Sequence, residues 1–71
     1  MGLIEHETEE RLSREGAAEK LRALADELAR HNEISFEREG VRYTVDVPDE
    51  VTFSLEIEVG EDNEIEIEIR W

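Results

Sequence analysis

The last eight residues of the chain alternate strictly between apolar and charged side chains. The apolar set is an isoleucine series closed by a tryptophan: Ile65, Ile67, Ile69 and Trp71. The intervening set is charged: Glu64, Glu66, Glu68 and Arg70. A period of two predicts a half-buried β-strand, with one face in a core and the other in solvent. Residues 51–59 repeat the pattern, and only residues 60–63 separate the two segments. The sequence therefore predicts an antiparallel hairpin whose outer face is lined with carboxylates.

This outer face brings like charges together. Whether the hairpin loop holds three residues or five, the directly opposed outward residues come from one set of glutamates: Glu56, Glu58, Glu64, Glu66 and Glu68. Like charges directly opposite destabilise a sheet by an amount comparable to the ~0.2–1 kcal/mol of a favourable cross-strand pair. We therefore expect the hairpin to need counterions in order to fold well.

Composition sets the size and the environment. The 71 residues predict one small domain, in which folding buries only ~60% of the surface of the unfolded chain. The absence of cysteine excludes disulfides and thiolate metal sites. No apolar run approaches the ~20 residues of a membrane span, and the first residues do not have the pattern of a signal peptide. We expect a soluble, cytoplasmic protein.

The charge balance is strongly acidic. Twenty-one acidic residues outnumber eight basic ones, the formal net charge is −13, and Lys20 is the only lysine. Self-repulsion of this size is associated with halophiles, since the Debye length falls to ~3 Å in 1 M salt. The sequence predicts halophilic adaptation with weakly condensed cations. It argues against direct binding to nucleic acid or to an anionic membrane, because the field has the wrong sign.

The remaining segments predict one helix and three more strands. A weak alternation of Ile4, His6 and Thr8 with glutamates predicts a strand over residues 3–11. Ser13 is a good N-cap for a helix over residues 14–30, which ends at His31-Asn32. Its apolar stripe recurs at helical spacing and consists of Ala17, Leu21, Leu24, Ala25 and Leu28.

A β-meander follows the helix. Strands are predicted over residues 33–39, 41–47, 51–59 and 64–71. The first turn is either Glu39-Gly40 in type I′ or Gly40-Val41 in type II′, and glycine serves both. The fold class is α+β in the order β-α-β-β-β-β, with the helix packed on one face of a mainly antiparallel sheet. The first strand is expected to run parallel to the second through a right-handed crossover.

These segments resemble a known family. The helix start Leu12-Ser13-Arg14-Glu15-Gly16-Ala17-Ala18, the β-rich second half and the Glu-Ile repeat before Trp71 are similar to the amphi-Trp domain. This small family is named for its amphipathic pattern and its tryptophan and is common in halophilic archaea. The resemblance covers nearly the whole chain. It implies the fold and the saline habitat, and it implies no catalytic residues, because the family has no established biochemical activity.

No residue pattern points to an enzyme. His6 and His31 are the only histidines, and their spacing from Thr8, Ser13 and Ser35 suggests no nucleophile–base–orienter set. Carboxylate rows suit hard cations, yet there is no EF-hand loop and no histidine cluster. We expect neither a cofactor nor a dedicated metal site.

Association with a protein is the function that the sequence favours. The edge strands of a small sheet carry unpaired backbone groups that can pair with another chain, including a second copy. The candidate interaction residues lie in the last strand: Glu64, Glu66, Glu68, Arg70 and Trp71. We expect Trp71, Tyr43 and Phe53 in the core by parity, with an interface anchor as the alternative for Trp71. The second hypothesis is an acidic nucleic-acid mimic that inhibits a basic nucleic-acid-binding protein. Carboxylates that repeat at ~6.6 Å along a strand could imitate a track of phosphates.

Overall fold

The computed structural model describes residues 4–71, and their element order is α1 (Arg14–Arg30), β1 (Glu33–Arg38), β2 (Val41–Asp46), β3 (Thr52–Glu58) and β4 (Glu64–Arg70). The chain is α+β, with one helix and two antiparallel two-stranded sheets in the described part. The helix coincides with the predicted range, and each strand begins or ends within one residue of its predicted bounds.

Local chemistry sets both ends of α1. The Ser13 hydroxyl accepts a hydrogen bond from the backbone N–H of Gly16 at 2.9 Å, which satisfies one of the free amides of the first turn. At the other end His31 is extended, and its N–H donates to the carbonyl oxygen of Glu27 at 3.0 Å. The 17-residue helix is thus closed at each end by its own flanking residues.

The first hairpin resolves the choice between two turns. Arg38 pairs with Val41, so the loop is the dipeptide Glu39-Gly40. Both residues have positive φ, 52° and 78°, which identifies the type I′ turn that matches the twist of a two-residue hairpin. This register places Ile34 opposite Val45 and Phe36 opposite Tyr43. The N–H of Val47 donates to the carbonyl of Asn32 at 2.7 Å and extends the pairing at the open end.

The sequence allowed a loop of three or of five residues in the second hairpin, and the structure has five. Glu58 pairs with Glu64, so residues 59–63 form the turn, and the N–H of Gly60 donates to the Asn63 side-chain oxygen at 3.2 Å. One face carries only apolar pairs, Phe53–Ile69, Leu55–Ile67 and Ile57–Ile65. The alternation predicted for these strands is therefore present in the structure.

The single sheet expected from the sequence is not confirmed. β1 pairs with β2 and β3 with β4, and the two pairs form separate sheets. No Cα atom of β3 or β4 lies within 8 Å of a Cα atom of α1, β1 or β2. Residues 47–51, which include Pro48, connect β2 to β3 outside any strand; because proline has no N–H to donate to a ladder, the pairing of the first sheet ends there and the chain leaves that sheet before β3 begins. The helix therefore packs on β1 and not across four strands.

The prediction of a strand over residues 3–11 is wrong. Residues 4–13 have no regular secondary structure, and residue 3 lies outside the described part. The segment has little apolar area on either face, so pairing with a sheet would bury too little of it to stabilise a strand. Its contacts with the rest of the molecule include a stack of the His6 ring on the Phe36 ring, with centroids 4.8 Å apart, and an ion pair between Glu10 and Lys20 at 2.9 Å. The parallel crossover into β1 is absent with it.

Candidate interaction surface

The apolar face of β3–β4 is open to solvent. We call it the hairpin face and define it by its three cross-strand pairs: Phe53–Ile69, Leu55–Ile67 and Ile57–Ile65. Phe53, Ile57 and Ile65 are 62%, 65% and 69% exposed. In the described residues no hydrophobic side chain is fully buried. Ile69 is half-buried, but the prediction that this face lies in a core is wrong for the other residues, which no element of the described part covers.

A groove runs between the helix and the last strand. We call it the α1–β4 groove; its volume is about 310 Å³, and it is lined by Leu21, Leu24, Leu28, Ile34, Ile67, Ile69 and Trp71. Small-molecule sites of this size usually contain a few convergent polar groups that orient the ligand. Every residue lining this groove is apolar, so the groove suits apolar side chains better than a polar substrate.

Trp71 lies at the rim of this groove. Its side chain is 58% exposed, so the prediction that it fills the core is wrong, and so is that for Phe53. Tyr43 is half-buried and stacks on Phe36 with ring centroids 5.3 Å apart. A large exposed aromatic beside an apolar groove is typical of an interface anchor. This is the second of the two roles that the sequence allows for Trp71.

The charged candidate residues of β4 lie on the outer face of the strand, which points away from the hairpin face. Glu64 and Glu66 are directly opposite Glu58 and Glu56, and Glu68 is opposite Ser54. The expected alignment of like charges is therefore present. Arg70 pairs with Glu68 of its own strand and lies opposite Thr52 of the neighbouring strand. The carboxylate face and Trp71 thus belong to different surfaces.

One structural contact has only a weak signal in the sequence pattern. The Glu27 carboxylate accepts a hydrogen bond from the backbone N–H of Ser35 at 3.0 Å. This carboxylate satisfies a donor on the outer edge of β1 and fixes the helix against the first hairpin. Glu27 follows Leu24 by three residues and so lies on the same side of the helix. That position was the one available hint, but a glutamate at such a position is more often solvated.

The histidines and hydroxyls are engaged in structural contacts. His6 stacks on Phe36, and His31 is the C-cap of α1. Ser13 caps α1, and the hydroxyl oxygens of Ser35 and Thr44 lie 3.4 Å apart across β1 and β2. Among residues 4–71 no group of three or more potential metal-ligating His, Asp or Glu side chains occurs. In the same range no helix is long and apolar enough to cross a membrane.

Comparison with known sequences identifies one family. The sequence model of the Amphi-Trp domain matches residues 3–71, essentially the whole chain. No curated protein and no solved structure matches the chain.

Proposed function

The chain belongs to the Amphi-Trp domain family, and we propose that it is a non-catalytic interaction module that buries its apolar surface against a protein partner. The observation that carries this proposal is the exposure of the hairpin face, with Phe53 at 62% and Ile57 at 65%. Monomeric soluble proteins rarely expose contiguous apolar patches larger than a few hundred Å² unless the patch binds something. Although 41% of the residues are charged, the apolar side chains are gathered on one face of the hairpin. This separation supports burial of that face against a partner.

The module is suited to a saline cytoplasm. With a net charge of −13, the carboxylate face repels other acidic surfaces at low ionic strength, and salt shortens the range of that repulsion. Apolar contacts are insensitive to this screening, and excluded salts strengthen them. Association through the hairpin face is therefore compatible with high salt, whereas ion-pair recognition would be weakened there.

The test is an affinity capture in molar KCl with matched baits. Ile57→Glu places a charge on the hairpin face, and Thr52→Glu places the same charge on the outer face opposite Arg70. We expect wild type and Thr52→Glu to retain the same protein, whether a second copy or another chain, and Ile57→Glu to lose it. Retention by all three baits, or by none, would contradict the proposal.

A second candidate function has its own observation. The register sets Glu56 opposite Glu66 and Glu58 opposite Glu64, which forms two columns of carboxylates on one face. Such columns can imitate a phosphate track toward a basic nucleic-acid-binding protein. We expect such a mimic to compete with duplex DNA for its target. Changing Glu64, Glu66 and Glu68 to glutamine would abolish the competition, while Ile57→Glu would leave it intact. The opposite pattern would reject mimicry.

A further inference from the structure

We propose that the occupant of the hairpin face is a second copy of this chain, packed face to face through a two-fold axis near the Leu55–Ile67 pair. This inference rests on the proposed interaction function and adds the identity of the partner. In the dimer the two hairpins form the layers of a small sandwich about 10 Å apart. The carboxylate faces lie on the outside.

The chain exposes more surface than a compact monomer of its size. It exposes 6969 Å², whereas a compact monomer of 8.3 kDa exposes about 4,600 Å². The radius of gyration is 14.0 Å, against about 11 Å for a compact chain of this length. The excess is shared between the irregular segment 4–13, the α1–β4 groove and the hairpin face. Each copy thus has apolar surface left to bury against another copy, as the protomers of a homodimer do.

Closure within one chain leaves much of the hairpin face uncovered. The α1–β4 groove is lined on the hairpin side only by Ile67, Ile69 and Trp71, and no β3 residue lines it. Phe53, Leu55 and Ile57 lie on the other strand of the hairpin and are 62%, 55% and 65% exposed. Within the described residues no Cα atom of α1, β1 or β2 lies within 8 Å of β3. These side chains are therefore free to be covered by a second copy.

The charge distribution permits a second copy despite the acidity of each chain. All three pairs of the hairpin face are apolar, so the face is complementary to itself, as an isologous interface requires. Glu56, Glu58, Glu64 and Glu66 project from the opposite side of the same strands. When two hairpin faces meet, these carboxylates point away from each other across two layers. The repulsion between copies is therefore smallest in this arrangement.

Pairing through the free edge of β4 is less favourable. Edge pairing of two antiparallel copies of β4 would widen the outer face and bring Glu64, Glu66 and Glu68 beside their equivalents. Like charges directly opposite oppose strand pairing, and inward or edge charges are a common protection against it. The edge association expected from the last strand is thus refined here to association through its apolar face.

Measurement of mass tests the proposal in solution. Sedimentation equilibrium in molar KCl is expected to give twice 8.3 kDa for the wild-type chain. Ile57→Glu places two carboxylates in the interface by symmetry, and we expect it to raise the dissociation constant at least about 100-fold. Thr52→Glu carries the same added charge on the outer face and should change it less than about threefold. Retention of helical circular dichroism shows that each variant is folded.

Cysteine variants provide a second measurement that does not depend on charge. The chain has no cysteine, so Leu55→Cys and Ser54→Cys each introduce one thiol, on the hairpin face and on the outer face. A short bis-maleimide should cross-link Leu55→Cys into dimers in high yield and Ser54→Cys in low yield. Equal yields, or cross-linking of the outer position alone, would overturn the face-to-face arrangement.

The outcomes separate this inference from the proposed function. If the wild-type chain is a monomer that binds an apolar dye and Ile57→Glu loses that binding, the partner is not a second copy. The proposed interaction function would still hold. A wild-type monomer that binds no dye overturns both, because the hairpin face is then covered within the chain. A dimer that Ile57→Glu leaves intact overturns the inference in favour of another interface.

Discussion

The two hairpins of this chain have similar lengths and very different surroundings. Ile34 and Phe36 of β1 are half-buried, and Glu27 of α1 accepts a hydrogen bond from the strand edge at 3.0 Å. The second hairpin has the cleaner alternation, yet Phe53 and Ile65 are 62% and 69% exposed. Alternation therefore marks which face of a strand is apolar, and it does not say that the same chain covers that face.

The outer faces differ as well. The outer face of the first hairpin has one pair of opposite charges, Glu37–Arg42, and one like-charge pair, Glu33–Asp46, at its open end. In the second hairpin both charged pairs that lie directly opposite are like-charged, Glu56–Glu66 and Glu58–Glu64. One hairpin is supported by its helix and by cross-strand attraction. The other is opposed by cross-strand repulsion and has an open apolar face. We expect the first hairpin to fold with the chain alone and the second to depend on salt and on association.

The largest difference should appear when one phenylalanine of each hairpin is replaced. Phe36 lies between the rings of His6 and Tyr43, so Phe36→Ala should lower the free energy of unfolding by about 2 kcal/mol at any protein concentration. Phe53→Ala should cost less than about 1 kcal/mol in dilute protein, because most of this side chain is already exposed. The measurement is urea unfolding in molar KCl at low and high protein concentration. A cost of Phe53→Ala that is large and independent of concentration would break the comparison.

A smaller difference is expected between the glycines of the two loops. Gly40 has a φ of 78°, and an L-residue in this left-handed region costs about 1–2 kcal/mol. Gly60 has no such φ, and a Cβ there would meet its nearest atom, the Asp62 carbonyl oxygen, at 3.8 Å. Gly40→Ala should destabilise the chain, and Gly60→Ala should be neutral or stabilise by about 0.5 kcal/mol. Thermal unfolding of the two variants compares them, and equal melting temperatures would contradict the type I′ assignment.

The smallest effect concerns the outer charges and has opposite signs in the two hairpins. Glu64→Gln with Glu66→Gln removes both like-charge pairs, and should stabilise by about 0.2–1 kcal/mol per pair at low salt and by almost nothing in 1 M KCl. Glu37→Gln removes an attraction to Arg42 and should destabilise by a similar or smaller amount. Unfolding titrations across KCl concentrations give the two slopes. Slopes of the same sign would show that the opposed charges do not control the hairpins.

Much of the local structure could be predicted from residue pattern. The helix Arg14–Arg30, its Ser13 cap and the facing glutamates of β3 and β4 follow from short-range rules, since capping and strand alternation act between neighbours in sequence. The α+β class follows from the same signals. The prediction of a strand over residues 3–11 was wrong because its alternating residues carry too little apolar area to stabilise pairing with a sheet.

The candidate site was predictable only in part. The sequence pointed to the last strand, and Trp71 does lie at the rim of an apolar groove. Its alternation also places the carboxylates and Trp71 on opposite faces of that strand. It could not reveal the Glu27 contact to Ser35, because the acceptor and donor meet only after the helix has docked on β1.

The sequence by itself determined the helix and the four strands after it, the acidity and the identity of each apolar face, and it narrowed each hairpin turn to two alternatives. Only the tertiary structure decided that the four strands divide into two sheets, that α1 packs on β1, and that Phe53, Leu55 and Ile57 remain uncovered. The physical reason is the separation along the chain between the residues that interact. Hydrogen bonds of turns and caps form between close neighbours, whereas coverage of an apolar face depends on how elements far apart in the sequence pack against each other.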